Sequence, residues 1–202
     1  MKNIMTLGTT LVLTLAAFAS NDEGTTRYKV DTNASSITWH ATKVMGEHMG
    51  TVNVTNGVMS ITDGTMTSAN VIADMSSIAC TDLEGEWADK LVGHLNSDDF
   101  FNVSEHKTSS FLLRNMEALK DAKGDATHTV TGDFTIRGIT QSVTFEATIS
   151  DENGTLSISG SVVLDRSQFG VKYGSGSFFE NLGDNLIHDE FTVGFNLVAQ
   201  AQ

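Results

Sequence analysis

From Tyr28 onward the apolar residues fall mostly on every second position, the period of a strand with one buried and one solvated face. Ile37, Trp39 and Ala41 alternate with Ser36, Thr38, His40 and Thr42. Val52 and Val54 lead to Asn56-Gly57, a pair that predicts a hairpin turn, and Met59 and Ile61 lead to a second such pair, Asp63-Gly64. Ala69, Val71, Ala73 and Met75 form the next row. Further rows are Ser109, Phe111 and Leu113; Val130, Gly132, Phe134 and Ile136; Val143, Phe145, Ala147 and Ile149; Leu156, Ile158, Gly160, Val162 and Leu164; and Phe191, Val193, Phe195 and Leu197. Arg137-Gly138 and Asn153-Gly154 read as turns between rows, and the polar stretch 117–125 as a long hairpin loop.

Between Met75 and Ser109 the period changes. Leu83, Trp87, Leu91 and Leu95 are spaced by four with charged residues between them, which predicts a helix over about 82–95 whose apolar stripe lies against the sheet. Thr81 and Asp82 are its candidate N-caps. Asn96-Ser97-Asp98-Asp99 stops it, and Phe100-Phe101 then offers a hydrophobic plug.

About eight short strands suit either a sandwich or an up-and-down barrel. The chain has no Pro to blunt a sheet edge, so closure is the favoured solution. The expected fold is therefore all-β: an antiparallel, lipocalin-like barrel of about eight strands with one inserted helix and an apolar cavity. A barrel of that size is either filled by side chains or holds one small ligand. Small residues on the inward rows (Ala41, Gly132, Ala147, Gly160) either leave a slot or match bulky neighbours across the barrel. The lining predicted from alternation is Trp39, Val71, Met75, Phe111, Phe134, Phe145, Ile158 and Phe195.

Composition narrows the function. Lys2, the apolar run Leu7 to Phe18 and the small residues of Ala17-Phe18-Ala19 have the form of a secretory leader over 1–19, cleaved near Ala19. The run is short and diluted by Thr9, Thr10 and Thr14, so a permanent membrane anchor is not expected. Residues 20–202 then form a single domain, periplasmic or secreted. With one cysteine, Cys80, no internal disulfide is available, and Cys80 reads as a small core residue. The formal net charge of -13 excludes nucleic acid as a partner and disfavours anionic membrane faces. A lipid ligand would be taken inside.

Chemistry-bearing motifs are sparse. The six histidines (40, 48, 94, 106, 128 and 188) show no metal-ligand spacing, so neither a metal nor any other cofactor is expected. No Gly-x-Ser-x-Gly elbow or phosphate loop occurs. His94 reads as a residue that ties down the helix end by hydrogen bonding to nearby backbone, and Asp98-Asp99 as turn formers in solvent. Gly174-Ser175-Gly176-Ser177 reads as a flap, with Phe178-Phe179 beside it gating an apolar opening.

Four segments carry a resemblance: Tyr28-Lys29-Val30-Asp31 with Ser35 to Trp39, Gly93 to Phe101, Val130 to Thr140, and Asp165-Arg166-Ser167-Gln168-Phe169-Gly170-Val171. In this order they resemble the YceI-like family of lipid- and polyisoprenoid-binding proteins. The resemblance implies an exported eight-stranded barrel that holds a long isoprenoid, an isoprenoid quinone or another lipid, without catalysis. Where that family often carries an Arg before the His-Leu pair, this chain has Asp89-Lys90-Leu91-Val92, with Lys90 as the candidate replacement. An enzyme acting on a lipid or small hydrophobe through His94, Asp98 and Asp99, and a filled β interaction module, are the alternative functions. A homodimer is left open.

Overall fold

A computed structural model describes residues 24–120 and 124–202; the expected leader and part of the loop after Ala118 lie outside them. Nine strands run β1 (Thr25–Val30), β2 (Ser36–Lys43), β3 (Gly46–Thr62), β4 (Thr65–Cys80), β5 (Thr108–Ala118), β6 (His128–Ile136), β7 (Ile139–Glu152), β8 (Thr155–Asp165) and β9 (Ile187–Ala201), with one α-helix, α1 (Gly85–Asn96), between β4 and β5. Every pairing between strands is antiparallel, from β2 onward each strand lies beside its successor, and β9 returns to β2. The sheet is therefore a closed up-and-down barrel.

Nine strands make eight staves because the first stave is broken. β2 pairs with the first half of β3 and with β9 from Ile187 to Asn196, while β1 pairs with the second half of β3 and with the end of β9. The break is an Asx turn in which Asp31 Oδ1 accepts from the amides of Asn33 (2.9 Å) and Ala34 (3.2 Å). Opposite it, Val198 does not lose its ladder partners. Its N–H donates to Ser35 Oγ (3.0 Å) and its carbonyl accepts from Asp31 N (2.8 Å), so the seam stays satisfied across the gap.

Three of the expected turns are present. Asp63-Gly64, Arg137-Gly138 and Asn153-Gly154 each place two consecutive residues at positive φ, between +50° and +79°, the conformation that two-residue hairpins require. Asn56-Gly57 is not a turn. β3 runs straight through it with a register shift against β4 between Val54 and Asn56. A Cβ on Gly57 would lie 2.4 Å from Val30 Cγ2, so this glycine serves a bulge and a close approach of β1.

The helix lies across the end of the barrel formed by the β2–β3 and β6–β7 turns. It starts at Gly85, three residues later than the spacing implies, and its N-cap residue Glu84 makes no side-chain cap. Its stripe is also rotated. Leu95 is buried and Leu91 and Val92 pack on the core beneath, but Trp87 is 71% exposed. Trp87 instead lies under the Lys90 ammonium, 5.0 Å from the ring centroid, and Lys90 pairs with Glu86 at 2.7 Å. Lys90 thus faces outward and does not replace a cation at the barrel end.

Asp82 does not cap the helix. Its Oδ1 accepts from Met49 N (2.8 Å) and from the Cys80 thiol (3.2 Å), and its Oδ2 meets His48 Nδ1 (2.8 Å). It therefore ties the end of β4 to β3, and Cys80 is half-buried beside it instead of lying in the core. Burial opposes ionisation of Asp82, but the hydrogen bonds from Met49, His48 and Cys80 outweigh it and hold the pKa at about 2. A carboxylate whose pKa falls on folding adds stability above its unfolded pKa, and this is lost as pH drops toward the folded value. Asp82→Asn is expected to be less stable than the parent by about 1 kcal/mol above pH 4. The gap should close toward pH 2, as read by urea unfolding at a series of pH values.

Candidate functional site

The inward rows enclose two apolar lobes stacked along the barrel. The upper lobe, of about 150 Å³, lies under the helix and is walled by Trp39, Met75, Leu95, Phe100, Phe101, Phe191 and others. Apart from Trp39, the non-apolar residues bordering it are Thr38, Ser109, Ser110 and Arg166, with the Thr38 hydroxyl turned to the Gly194 carbonyl on the outer face. The lower lobe, of about 90 Å³, is walled by apolar residues including Met59, Met66, Met116, Ala147, Ile149 and Leu197. Five residues, Ile37, Val71, Phe111, Phe134 and Val193, line both lobes and form a waist. Apolar cavities of such volumes stay dry and accept hydrophobic rings or chains.

The eight residues picked from alternation all face this lumen. Trp39 and Met75 line the upper lobe, Phe145, Ile158 and Phe195 the lower, and Val71, Phe111 and Phe134 the waist. Four of the phenylalanines form a chain of ring contacts: Phe111 to Phe134 at 4.9 Å, Phe134 to Phe145 at 6.0 Å and Phe145 to Phe195 at 5.6 Å. Two of the glycines on the inward rows match bulky neighbours and do not open a slot. A Cβ on Gly132 would lie 2.2 Å from the Phe111 ring, and one on Gly160 would lie 2.9 Å from Phe195. Ala41, Ala73, Ala69 and Ala147, by contrast, do border free space.

Arg166 escaped the alternation argument because it lies just after β8, in a 3-10 turn (Arg166–Phe169). It is 5% exposed and reaches the wall of the upper lobe. Its Nε donates to His188 O (3.1 Å), Nη1 to Tyr173 O (2.8 Å) and Val171 O (3.4 Å), and Nη2 to Ile187 O (3.0 Å). Asp189 Oδ1 lies 3.2 Å from Nη2, an ion pair without hydrogen-bond alignment, and the other Asp189 oxygen accepts from Ser177 Oγ at 2.6 Å. Burial lowers the Arg166 pKa, and the charges of Asp189 and Asp165 oppose that. Four of its five N–H groups donate to backbone carbonyls and Nη2 also faces the Asp189 carboxylate, so Arg166 fastens the segment 171–189. The one signal for it in the sequence is its place in the Asp165 to Val171 segment.

That segment is consequently anchored. Ser175 is fully buried, bridges to Ile187 and accepts from Ser177 N, and Ile187 N donates to Gly174 O (2.9 Å). Phe178 and Phe179 stand half-exposed on its outer side, away from the lumen wall. The plug is instead Phe100, 8% exposed, as the Phe100-Phe101 pair suggested. His94 packs edgewise on Phe100 (4.8 Å) and Tyr173 (4.5 Å), and its Nε2 lies 3.4 Å from Asp99. It anchors the helix end through these ring contacts; the backbone bond there is made by Ser97, whose Oγ donates to the His94 carbonyl (2.8 Å). His40 meets Glu47 and His48 meets Asp82, and among the described residues no three His, Cys, Asp or Glu side chains converge as metal ligands do.

A closed antiparallel barrel of eight staves with a helix across one end and an apolar lumen is the architecture of lipocalin-like binding proteins. The sequence signature of the YceI-like domain matches residues 28–199, and the chain belongs to that family. Two UPF0312 proteins of Pseudomonas putida are each 31% identical over 85 residues, covering 39% of this chain; the match spans 42% of their length. BcnA of Burkholderia cenocepacia has the same fold, with a TM-score of 0.62 at 21% identity, over 85% of this chain and 99% of its own. A polyisoprenoid binding domain from Saccharophagus degradans, implicated in plant cell wall breakdown, aligns with a TM-score of 0.62 at 12% identity, over 87% of this chain and 98% of its own.

Removing Arg166 would take the donor from four carbonyls, that of Val171 buried and the others partly so, and leave Asp189 without its cation. Arg166→Met is expected to cost about 3 kcal/mol in urea unfolding. Arg166→Lys should recover little of it, because one ammonium cannot reproduce the guanidinium fork.

Proposed function

We propose that this protein binds one linear hydrophobic molecule, of the polyisoprenoid or isoprenoid-quinone class, along its lumen and carries or sequesters it without changing it chemically. The observation that carries this reading is the pair of apolar lobes joined end to end at the waist, a shape suited to a chain and not to a compact solute. Burial supplies the driving force, at about 25 cal/mol per Å² of apolar surface, so a long chain needs few polar contacts. The Saccharophagus degradans domain, described as polyisoprenoid-binding, supports the ligand class. The leader-like residues 1–19 support a site of action outside the cytoplasm.

A binding role is also supported by where the candidate chemistry lies. His94, Asp98 and Asp99 line an open groove on the outer side of Phe100, and none of them borders either lobe. A ligand held in the lumen would be out of their reach.

Protein purified gently from its native host should carry a co-purifying lipid visible by native mass spectrometry, on a chain that begins near Ser20. Repeated recovery of empty protein that also refuses quinones and polyprenols would sink the proposal. Val71→Phe, which narrows the waist, should weaken binding of long-chain ligands by tenfold or more, about 1.4 kcal/mol. It should leave a single-ring hydrophobe bound in the upper lobe, and equal loss of both ligands would show that the two lobes do not act as one site.

A further inference from the structure

The outer groove and the upper lobe share two residues, Phe100 and Ile187. On one side lie Lys43, His94, Lys172 and Asp99 in solvent; on the other lies the apolar lumen. We propose that Phe100, with Ile187, is the gate through which the ligand passes between groove and lumen; the inference rests on the reading of the barrel as a binding protein.

The neighbours of Phe100 divide into those that hold its backbone and those that hold its ring. Arg137 Nη1 donates to the Phe100 carbonyl (2.7 Å) and to Gly170 O (3.2 Å), and Phe100 N donates to Ser97 O (3.2 Å). The main chain is thereby tied to the β6–β7 turn and to the helix end. The ring is held by no hydrogen bond, only by packing: His94 at 4.8 Å, Tyr173 at 5.6 Å, Phe101 at 6.4 Å, the Arg166 guanidinium at 5.8 Å, and the apolar cluster around Leu95 and Val171. Ring contacts of this kind are worth about 0.5–1.5 kcal/mol each, small enough to be broken and remade on the timescale of ligand exchange. Tyr173 is itself 46% exposed, so the ring has a yielding neighbour on the groove side.

Ile187 is fixed the same way. Its N–H and carbonyl are taken by Gly174 and Arg166, while its side chain borders both spaces. The gate is thus two side chains set in an immobile frame, and Arg166 and Arg137 are the positioning residues of that frame. Among the described residues the opposite end offers no counterpart. There Tyr28, Met59, Leu156 and Ala199 are at most 4% exposed, and the Tyr28 hydroxyl donates to Asp151. The other route is lateral. β4 and β5 pair only from Asn70 to Asp74, and Met66 and Met116 border the lower lobe beyond that pairing.

Stopped-flow fluorescence with N-phenyl-1-naphthylamine and the full chain distinguishes these routes. Lowering a barrier speeds uptake and release together, whereas losing a wall contact acts mainly on release. Phe100→Ala should raise both rate constants by about tenfold and Phe100→Trp should slow both, whereas Met116→Ala, which removes a wall contact of the lower lobe, should act on release alone. Ile187→Ala, expected to raise both by about threefold, decides the matter should Phe100→Ala lose its near-ultraviolet dichroism. Unchanged rates in the folded gate variants, an effect of those variants on release alone, or acceleration of both uptake and release by Met116→Ala would overturn the gate while leaving the binding protein intact. A parent protein that takes up no fluorophore would overturn both.

Discussion

The lumen exists because β9 pairs along both of its flanks. On one side it follows β8 from Asp165–Glu190 to Thr155–Gln200, and on the other it meets β2 and then β1. Were that second seam to open, two strands would present unpaired edges and the apolar rows would lie on one face of a curled, solvated sheet. The weak place in the seam is the break between β1 and β2, where no stave residue stands opposite Val198. Ser35 and Asp31 complete both of its hydrogen bonds, so the ring remains continuous where the chain is not. Closure then sets the diameter, since strand number and tilt together determine the width of a barrel.

At that diameter the interior is not filled, and the arrangement of large and small residues explains why. Phe111 and Phe195 each lie over a glycine, Gly132 and Gly160, so these rings rest close to the barrel wall and project less into the lumen. Alanines on the other staves leave free space opposite. Thus the Phe111 and Phe134 rings wall the waist shared by the two lobes, while Phe195 lies in the lower one. The same residues that make the core apolar therefore decide the girth of what passes along it.

Much of this was legible in the sequence, for a physical reason. Period-two rows report which face of a strand is buried whatever the tertiary context, which is why Trp39, Val71, Phe134 and the other five residues chosen by alternation all reach the lumen. What failed were inferences in which one local pattern serves two structures. Asn-Gly forms a tight hairpin turn, yet a glycine in an extended strand equally marks the close approach of another strand, and Gly57 faces Val30. A spacing of four residues names a helical stripe without naming its centre. The stripe through Trp87 was displaced because Leu91, Val92 and Leu95 together face the barrel more fully. Arg166 was marked only by its place in the Asp165 to Val171 segment, and its role was out of reach: its partners are backbone carbonyls of residues 171, 173, 187 and 188, and carbonyls carry no signature in a sequence.

Arg166 also determines how selective the barrel can be. It is the single charged side chain on either lobe among the described residues, and four of its five donors are taken by carbonyls of the segment it fastens, with Asp189 beside it as counter-charge. A polar head group placed in the upper lobe would find the Ser109 hydroxyl, in phase with Phe111, but no free ionic partner. In the outer groove the fixed cations Lys43, Arg137 and Lys172 are matched by Asp98, Asp99 and Asp184, so the groove does not impose a strong sign on a head group either. Discrimination falls to length and girth, and a methylene gained or lost in an apolar pocket is worth only about 1–3 kcal/mol. A site built this way accepts a class of chains and not one compound, with its limits set by the waist and by the space beneath Phe100.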